Sequence, residues 1–365
     1  MARIVVKIGT SVLTGGGPVL DREHIGTLAR QCAALHAEGH EIIICSSGAI
    51  TAGRGRMGLE HVPAGLPERQ MLAAVGQSRL MRVWEEAFDP LSIVVGQVLL
   101  TRADVEDRNR YLNGRDAIQT MIDNRVIPVV NENDAVATAE IRVGDNDNLS
   151  ALLCLLVEAD LLLMLTDQPG LFTADPRLDP NAELLSDIAE IDDAVRATAT
   201  GTATGLGTGG MATKLQAAEI ARRAGTAVVI ASGHRPDVIV LAAHGVAVGT
   251  RFAPAGSTLE HRKRWILAGS VPQGSVEIDT GAASALTRDG RSLLPAGITA
   301  VNGPFLRGDS VSILGMGKTV IARGIVRYDS EELAQIQGLR SADVPRKLGY
   351  TRGAAAIHRN DLVLA

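Results

Sequence analysis

Short apolar runs alternate along the chain with segments in which apolar residues recur at helical spacing. Residues 3–8 are a β-branched run that stops at Gly9-Thr10-Ser11, which predicts a strand ending in a polar turn. Asp21 then stands as a helix cap, and Ile25, Leu28, Ala29, Cys32 and Leu35 recur every three or four residues until Gly39. The rhythm continues with strands over 41–45, 92–100, 126–130, 160–165 and 226–231, and helices over 67–88, 107–124, 148–157 and 211–224. Strands that are apolar throughout and separated by helices predict a mainly parallel sheet covered on both faces. The fold class expected for the larger, N-terminal part is α/β, a three-layer αβα sandwich.

Across 254–274 the pattern changes. Short alternating strands over 275–279, 297–301, 310–314 and 319–326 are separated by Gly-rich turns, and Asp329 with Glu332 offers a capping box for a helix over 330–336. A small β-rich barrel is expected there. The boundaries read as 1–255 for the α/β domain, 256–271 for a linker and 272–365 for the β-rich domain.

Composition narrows the picture. With 46% hydrophobic and 21% charged residues the chain is not disordered, and with 2% aromatics its core must be aliphatic. The 36 Lys and Arg against 41 Asp and Glu leave −5, which argues against a nucleic-acid binder driven by bulk charge. Cys32, Cys45 and Cys154 each sit in an apolar periodic segment, as reduced, buried thiols do. The apolar stretch 149–165 is broken by Glu158 and Asp160, so no membrane span is expected. The first residues lack the form of a signal peptide, and the expectation is a cytoplasmic protein.

An open parallel sheet binds ligands outside the carboxyl ends of its strands. Those ends carry Lys7-Ile8-Gly9-Thr10-Ser11, Ser46-Ser47-Gly48, Asn131-Glu132-Asn133-Asp134 and Thr166-Asp167, all small or polar but for one residue. The run GLGTGGMATK over 205–214 is the sharpest feature. Its glycines free backbone N–H groups for phosphate oxygens, and the next helix adds its positive end. Lys214 falls in the first turn of that helix, where a cation opposes the macrodipole unless a multiply charged anion sits nearby. The run GDNDN over 144–148, together with Glu132, Asp134 and Glu140, reads as a solvated loop, a magnesium site, a pocket for an ammonium group or a helix cap.

Other motifs fail on context. Gly205, Gly207 and Gly210 match G-x-G-x-x-G, but no strand directly precedes them, as dinucleotide binding requires. Gly317-Lys318-Thr319 lacks the first glycine of a P-loop, has Ser312 in its place, and lies between two strands as a hairpin turn would. His36 and His40 flank a helix end, and no histidine has a Cys or acid at metal-ligand spacing in sequence.

Taken together, VKIGTS, SSGAI, GQVLLTRAD, NENDAVATAEIRVGDNDNLSA, LLTDQPGLFTADP and GTGGMATK resemble the bacterial glutamate 5-kinase family of the amino-acid kinase superfamily. VEIDTGAASAL, SLLPAGI and RGDSVSI resemble the PUA domain that many of its members append. Ile8 and Ala212 stand where Leu and Ser are more usual. The resemblance implies transfer of the γ-phosphoryl group of ATP, with Mg²⁺, to the side-chain carboxylate of L-glutamate. It implies that Lys7 and Lys214 contact the travelling phosphate while Asp147 holds both. Lys7, Gly9, Thr166, Asp167, Thr208, Gly209, Gly210, Met211, Ala212, Thr213 and Lys214 match ATP-binding positions. Ser47, Asp134 and Asn146 match glutamate-contacting positions, with Asn131 as a further candidate. It also names partners to test: proline as feedback inhibitor, a homo-oligomer, a glutamyl phosphate reductase, and RNA at the PUA-like domain.

Overall fold

The computed structural model describes residues 1–137, 145–176, 178–199, 210–255 and 272–365, and of Arg108 and Asp145 the backbone alone. The chain divides into two compact units, Met1–Gly256 and Ser257–Ala365. Glu140, Gly144, Gly205, Gly207, Thr208, Gly209 and the expected linker lie outside the described residues.

The first unit is built on eight strands: β1 (Arg3–Ile8), β2 (Glu41–Ser46), β3 (Val95–Leu100), β4 (Ile127–Glu132), β5 (Leu161–Thr166), β6 (Asp187–Ile188), β7 (Ala227–Ser232) and β8 (Gly249–Phe252). They form one sheet in the order β3-β4-β2-β1-β5-β7-β8-β6. Every pairing is parallel except that of β7 with β8, so the expected architecture holds.

Helices cover both faces: α1 (Thr10–Leu13), α2 (Arg22–Ala37), α3 (Ala49–Met57), α4 (Leu66–Phe88), α5 (Arg102–Glu106), α6 (Arg108–Asp123), α7 (Asp145–Val157), α8 (Asp193–Thr198), α9 (Met211–Arg223) and α10 (Val238–Ala243). Strand side chains alternate between faces. Ile4, Val6 and Ile8 of β1 therefore pack with α2, α4 and α10, whereas Val5 packs with α6, α7 and α9. Lys7 shares the parity of Val5, so the sequence itself aims it at the α7 and α9 layer. A fully buried Leu or Ile contributes about 1.5–3 kcal/mol, and these two aliphatic layers hold the unit together without a disulfide.

Several expected bounds shift for identifiable reasons. The strand expected over 92–100 starts at Val95, because Asp89–Leu91 winds into a 3₁₀ turn and Ser92 takes φ 55°. The helix expected over 107–124 is α6, capped by Asp107, and a short helix not expected from the pattern, α5, precedes it, started by a Thr101/Asp104 capping box. Helix α7 begins at Asp145 rather than at 148, so Asp147 lies in its first turn, where negative charge meets the positive helix end. Helix α3 was not foreseen. It carries little amphipathic pattern because it docks on α4 through glycines: a Cβ on Gly76 would lie 1.8 Å from the Ala49 carbonyl oxygen.

The second unit holds five strands, β9 (Gly274–Ile278), β10 (Ile298–Asn302), β11 (Ser310–Leu314), β12 (Val320–Ile325) and β13 (Leu362–Leu364), in the order β10-β9-β11-β12-β13. Tyr328, Phe305, Val311 and Ile313 fill its core. The Asp329/Glu332 capping box starts a helix at Ser330–Ile336. Gly317 and Lys318 turn the chain between the antiparallel strands β11 and β12, so the P-loop look-alike is a hairpin turn.

Candidate active site

The carboxyl ends of β1, β2, β4 and β5 form one rim. Ile8 of β1 pairs with Ser46 of β2 and with Leu165 of β5. Just beyond, Ser47 N–H donates to the Ile8 carbonyl at 3.1 Å and Gly9 N–H to the Leu165 carbonyl at 3.3 Å. The four polar strand ends are thus neighbours in space.

At the centre of this rim stands Asp147, supplied by the first turn of α7 and 2% exposed. Its Oδ1 lies 2.5 Å from Lys7 Nζ, and its Oδ2 lies 3.2 Å from Lys214 Nζ. Thr213 Oγ1 donates to the same Oδ2 at 2.8 Å. Burial alone would raise the Asp147 carboxyl, but the Lys7 and Lys214 ammonium groups outweigh it and bring it down to about 2. Lys214 is held below the ordinary lysine value by burial and by the Lys7 charge, against the pull of Asp147. Two buried ammonium groups share one bridging carboxylate at the end of a helix that is itself positive. An anion is the ligand such a place accepts.

An open cleft adjoins Lys214, with Thr166, Asp167, Phe172, Gly210 and Met211 on its walls. Thr166 Oγ1 donates to Asp167 Oδ1 at 3.0 Å. Gly9 follows β1 beside Lys7, and a Cβ there would lie 3.8 Å from Lys7 Nζ, an ordinary contact. Ala212 is exposed in the first turn of α9 and is not on the cleft wall.

The other side of the centre is laid out in hydroxyl and amide groups, with the carboxylates of Glu132 and Asp134 at the same strand end. Asn146 Nδ2 donates to Ser47 Oγ at 3.0 Å and to Asn131 Oδ1 at 3.1 Å. Glu132 N–H donates to Asn131 Oδ1 at 2.9 Å and to Asn146 Oδ1 at 3.3 Å. Asp134 lies two residues past β4, half-buried, in the turn closed by Val136 N–H on the Asn133 carbonyl. Behind Ser47, the Trp84 indole N–H donates to Ser46 Oγ at 3.0 Å, and Ser46 Oγ donates to the Ser47 carbonyl at 3.0 Å.

Lys7, Asp147, Lys214 and Thr213 therefore converge, as do Ser47, Asn146 and Asn131. Sequence reasoning missed the part of Thr213 in holding Asp147, and it missed Gln77, Gln97 and Trp84 entirely. Gln97 lies on β3 within GQVLLTRAD, but no local motif marks Gln77 or Trp84, which reach the site from α4. All three cysteines are buried, and burial pushes Cys32 and Cys45 up to about 12 and raises Cys154 as well, so these thiols stay protonated and unreactive.

One expectation is corrected. His40 and His244 do meet an acid: His244 Nε2 lies 2.9 Å from Glu38 Oε2 and His40 Nε2 lies 3.8 Å from it. This cluster sits at the opposite, amino end of β2. Ala2 N–H donates to His40 Nδ1 at 3.2 Å, so in the neutral ring Nε2 carries the proton and offers no lone pair to a metal.

The family model for the amino acid kinase family matches residues 2–232, and that for the PUA domain matches residues 274–348. The chain is 57% identical to a glutamate 5-kinase of Photobacterium profundum over 361 residues, covering 99% of this chain and 96% of that one. It is 55% identical to a glutamate 5-kinase of Klebsiella pneumoniae and 54% identical to one of Salmonella paratyphi A, covering 99% of this chain and 98% of each relative. A charge centre built for a phosphate, on a sheet that meets its ligands at the strand ends, is what these likenesses lead one to expect, and the chain belongs to the amino acid kinase family, in its glutamate 5-kinase branch.

Proposed function

We propose that this protein transfers the γ-phosphoryl group of ATP to the side-chain carboxylate of L-glutamate, giving L-glutamyl 5-phosphate and ADP, the first step of proline biosynthesis. The observation that carries the reading is the bridging of Lys7 and Lys214 by one buried carboxylate, Asp147.

The chemistry asks little of proton transfer. The attacking carboxylate is already ionised at neutral pH, so no general base is required. The obstacle is the approach of two anions. A pair of unit charges about 4 Å apart repels by roughly 1 kcal/mol in water and about 4 kcal/mol at an effective dielectric of about 20. Lys7 and Lys214 offset this from the protein side, and Asp147 fixes both ammonium groups before the substrates arrive, so that no reorganisation is needed during transfer. The ATP phosphates lie along Gly9, Gly210, Met211, Thr213 and Lys214, and the nucleoside occupies the cleft walled by Thr166 and Asp167.

Mg²⁺ favours oxygen donors and keeps much of its water, binding mainly through substrate phosphates. The oxygens of Asp147 face ammonium groups and do not suit it; Asp167, exposed on the cleft wall, does. When bound, the ion neutralises charge on the phosphate oxygens.

On the acceptor side, Ser47 and the amides of Asn146 and Asn131 orient the glutamate carboxylate without adding negative charge, and Asp134 takes its α-ammonium group. Its substrates place the reaction in the cytoplasm; among the described residues no helix is long and apolar enough to cross a membrane.

The test is the ATP- and Mg²⁺-dependent formation of glutamyl hydroxamate from glutamate and hydroxylamine. Hydroxamate appearing only with all components present supports the reading. Phosphorylation of a different acceptor, with none of glutamate, overturns it.

A further inference from the structure

The amides beside Ser47 form a chain with one consistent polarity. Gln77 Nε2, on α4, donates to Gln97 Oε1 at 3.2 Å, on β3. The Gln77 carbonyl faces Asn131, whose Nδ2 donates to Gln77 Oε1 at 2.8 Å. Asn131 Oδ1 is thereby left to accept from Glu132 N–H and from Asn146 Nδ2. Both protons of Asn146 Nδ2 are then committed, one to Asn131 Oδ1 and one to Ser47 Oγ. A hydroxyl that accepts such a bond keeps its own proton for another partner. The backbone N–H of Glu132 cannot turn over, and the Gln77 carbonyl agrees with it from the far end. Asn131 therefore has one orientation that satisfies both.

We propose that Gln77 is a positioning residue: its side-chain carbonyl locks Asn131, and through it Asn146, in the orientation that leaves the Ser47 hydroxyl proton for the acceptor carboxylate. Gln77 touches no substrate; it acts through Ser47. The assignment rests on the glutamate-kinase reading for the identity of the acceptor, but the polarity of the chain does not.

Two substitutions of similar size at this half-buried position test it. Gln77→Glu keeps an acceptor facing Asn131, and the exposed Gln97 amide can turn over to donate to it. Gln77→Lys presents only donors and opposes the Asn131 Nδ2 group. The expected result is that Gln77→Glu keeps KM for glutamate within about twofold, whereas Gln77→Lys raises it roughly tenfold or more with kcat and KM for ATP little changed, the loss of one hydrogen bond to a charged group. Simple electrostatics favours the reverse order, since a lysine would attract an anionic acceptor and a glutamate would repel it. That reverse order, or equal effects in the two variants, overturns the proposal.

A double-mutant cycle tests the route. In a Ser47→Ala background the Gln77→Lys effect should vanish, and an effect that multiplies unchanged overturns action through Ser47. Thermal melts accompany each variant; if Gln77→Lys does not fold, a Gln77→Glu enzyme with KM for glutamate raised tenfold overturns the proposal, and one near wild type supports it. Should the wild-type enzyme turn over another acceptor, the cycle is run with that acceptor, so failure of the substrate assignment and failure of the relay are read separately.

Discussion

Two halves of the same rim are built from opposite materials. Around Asp147 the protein buries three formal charges within salt-bridge distance. Around Ser47 and Asn146 it uses hydroxyl and amide groups in a directional chain. The difference follows from what each half handles. A travelling phosphoryl group spreads negative charge over several oxygens, and cations stabilise it with little demand on angle. An acceptor carboxylate must be aimed, and neutral hydrogen bonds aim it without drawing it into a tight ion pair that would blunt its attack. Charge supplies energy in one half and direction is supplied in the other.

The largest expected effect strikes the charged half. Asp147→Asn removes the carboxylate that bridges two buried ammonium groups, and breaking such a pair costs about 3–5 kcal/mol of stability. Chemical denaturation should show that loss, together with collapse of turnover. A variant as stable and active as wild type would mean that the lysines do not need their shared counter-charge.

Lys214→Met separates stability from catalysis in the same half. The charged form of Lys214 is disfavoured in the folded protein, since its value lies below that of the unfolded chain. Below that lowered value the ammonium is a cost to folding, relieved as pH rises through it. An uncharged side chain of similar length should leave the denaturation midpoint nearly unchanged while the barrier rises by about 3–4 kcal/mol, read as kcat. Equal losses in both measurements would identify Lys214 as a structural ion-pair partner.

The charged half was the more legible in sequence, for physical reasons. Strand ends are short, local and polar, and alternation along β1 assigns Lys7 to the face of α7 and α9. A lysine in the first turn of a helix is anomalous unless an anion explains it, so Lys214 stood out. Asp147 was visible within GDNDN, although its place inside the first turn of α7 was not, because a run of acids and amides reads as loop. The amide half was legible at the strand ends and at Asn146 within GDNDN, and not beyond them. Gln77 and Trp84 lie on an ordinary amphipathic helix, and nothing in their spacing says that one meets Asn131 and the other Ser46. Helix α3, joined to α4 through Gly53 and Gly76, shows no apolar stripe to detect. Glu38 and His244 meet across most of the unit, beyond the reach of any spacing rule.

A pH series sharpens the comparison at smaller amplitude. The Asp147 carboxyl falls from 3.8 to about 2 on folding. Its depressed value contributes stability that is fully present above 3.8 and is lost as pH falls toward about 2, a contribution of about 2 kcal/mol. The stability gap between wild type and Asp147→Asn should therefore narrow by that amount between about pH 5 and pH 2. A gap that stays constant across this window would show that the lysines do not lower the carboxyl.

Ser46→Ala probes the amide half with the smallest change. The hydroxyl accepts from the buried Trp84 indole and donates to the Ser47 carbonyl, so its removal leaves one buried donor unpartnered. The expected cost is about 1–2 kcal/mol of stability. Because the phosphate-side lysines are untouched, kcat should hold and only KM for the acceptor should rise, through looser placement of Ser47. A fall in kcat matching that of Lys214→Met would break the division, since it would make the turn after β2 part of the apparatus that handles the phosphoryl group.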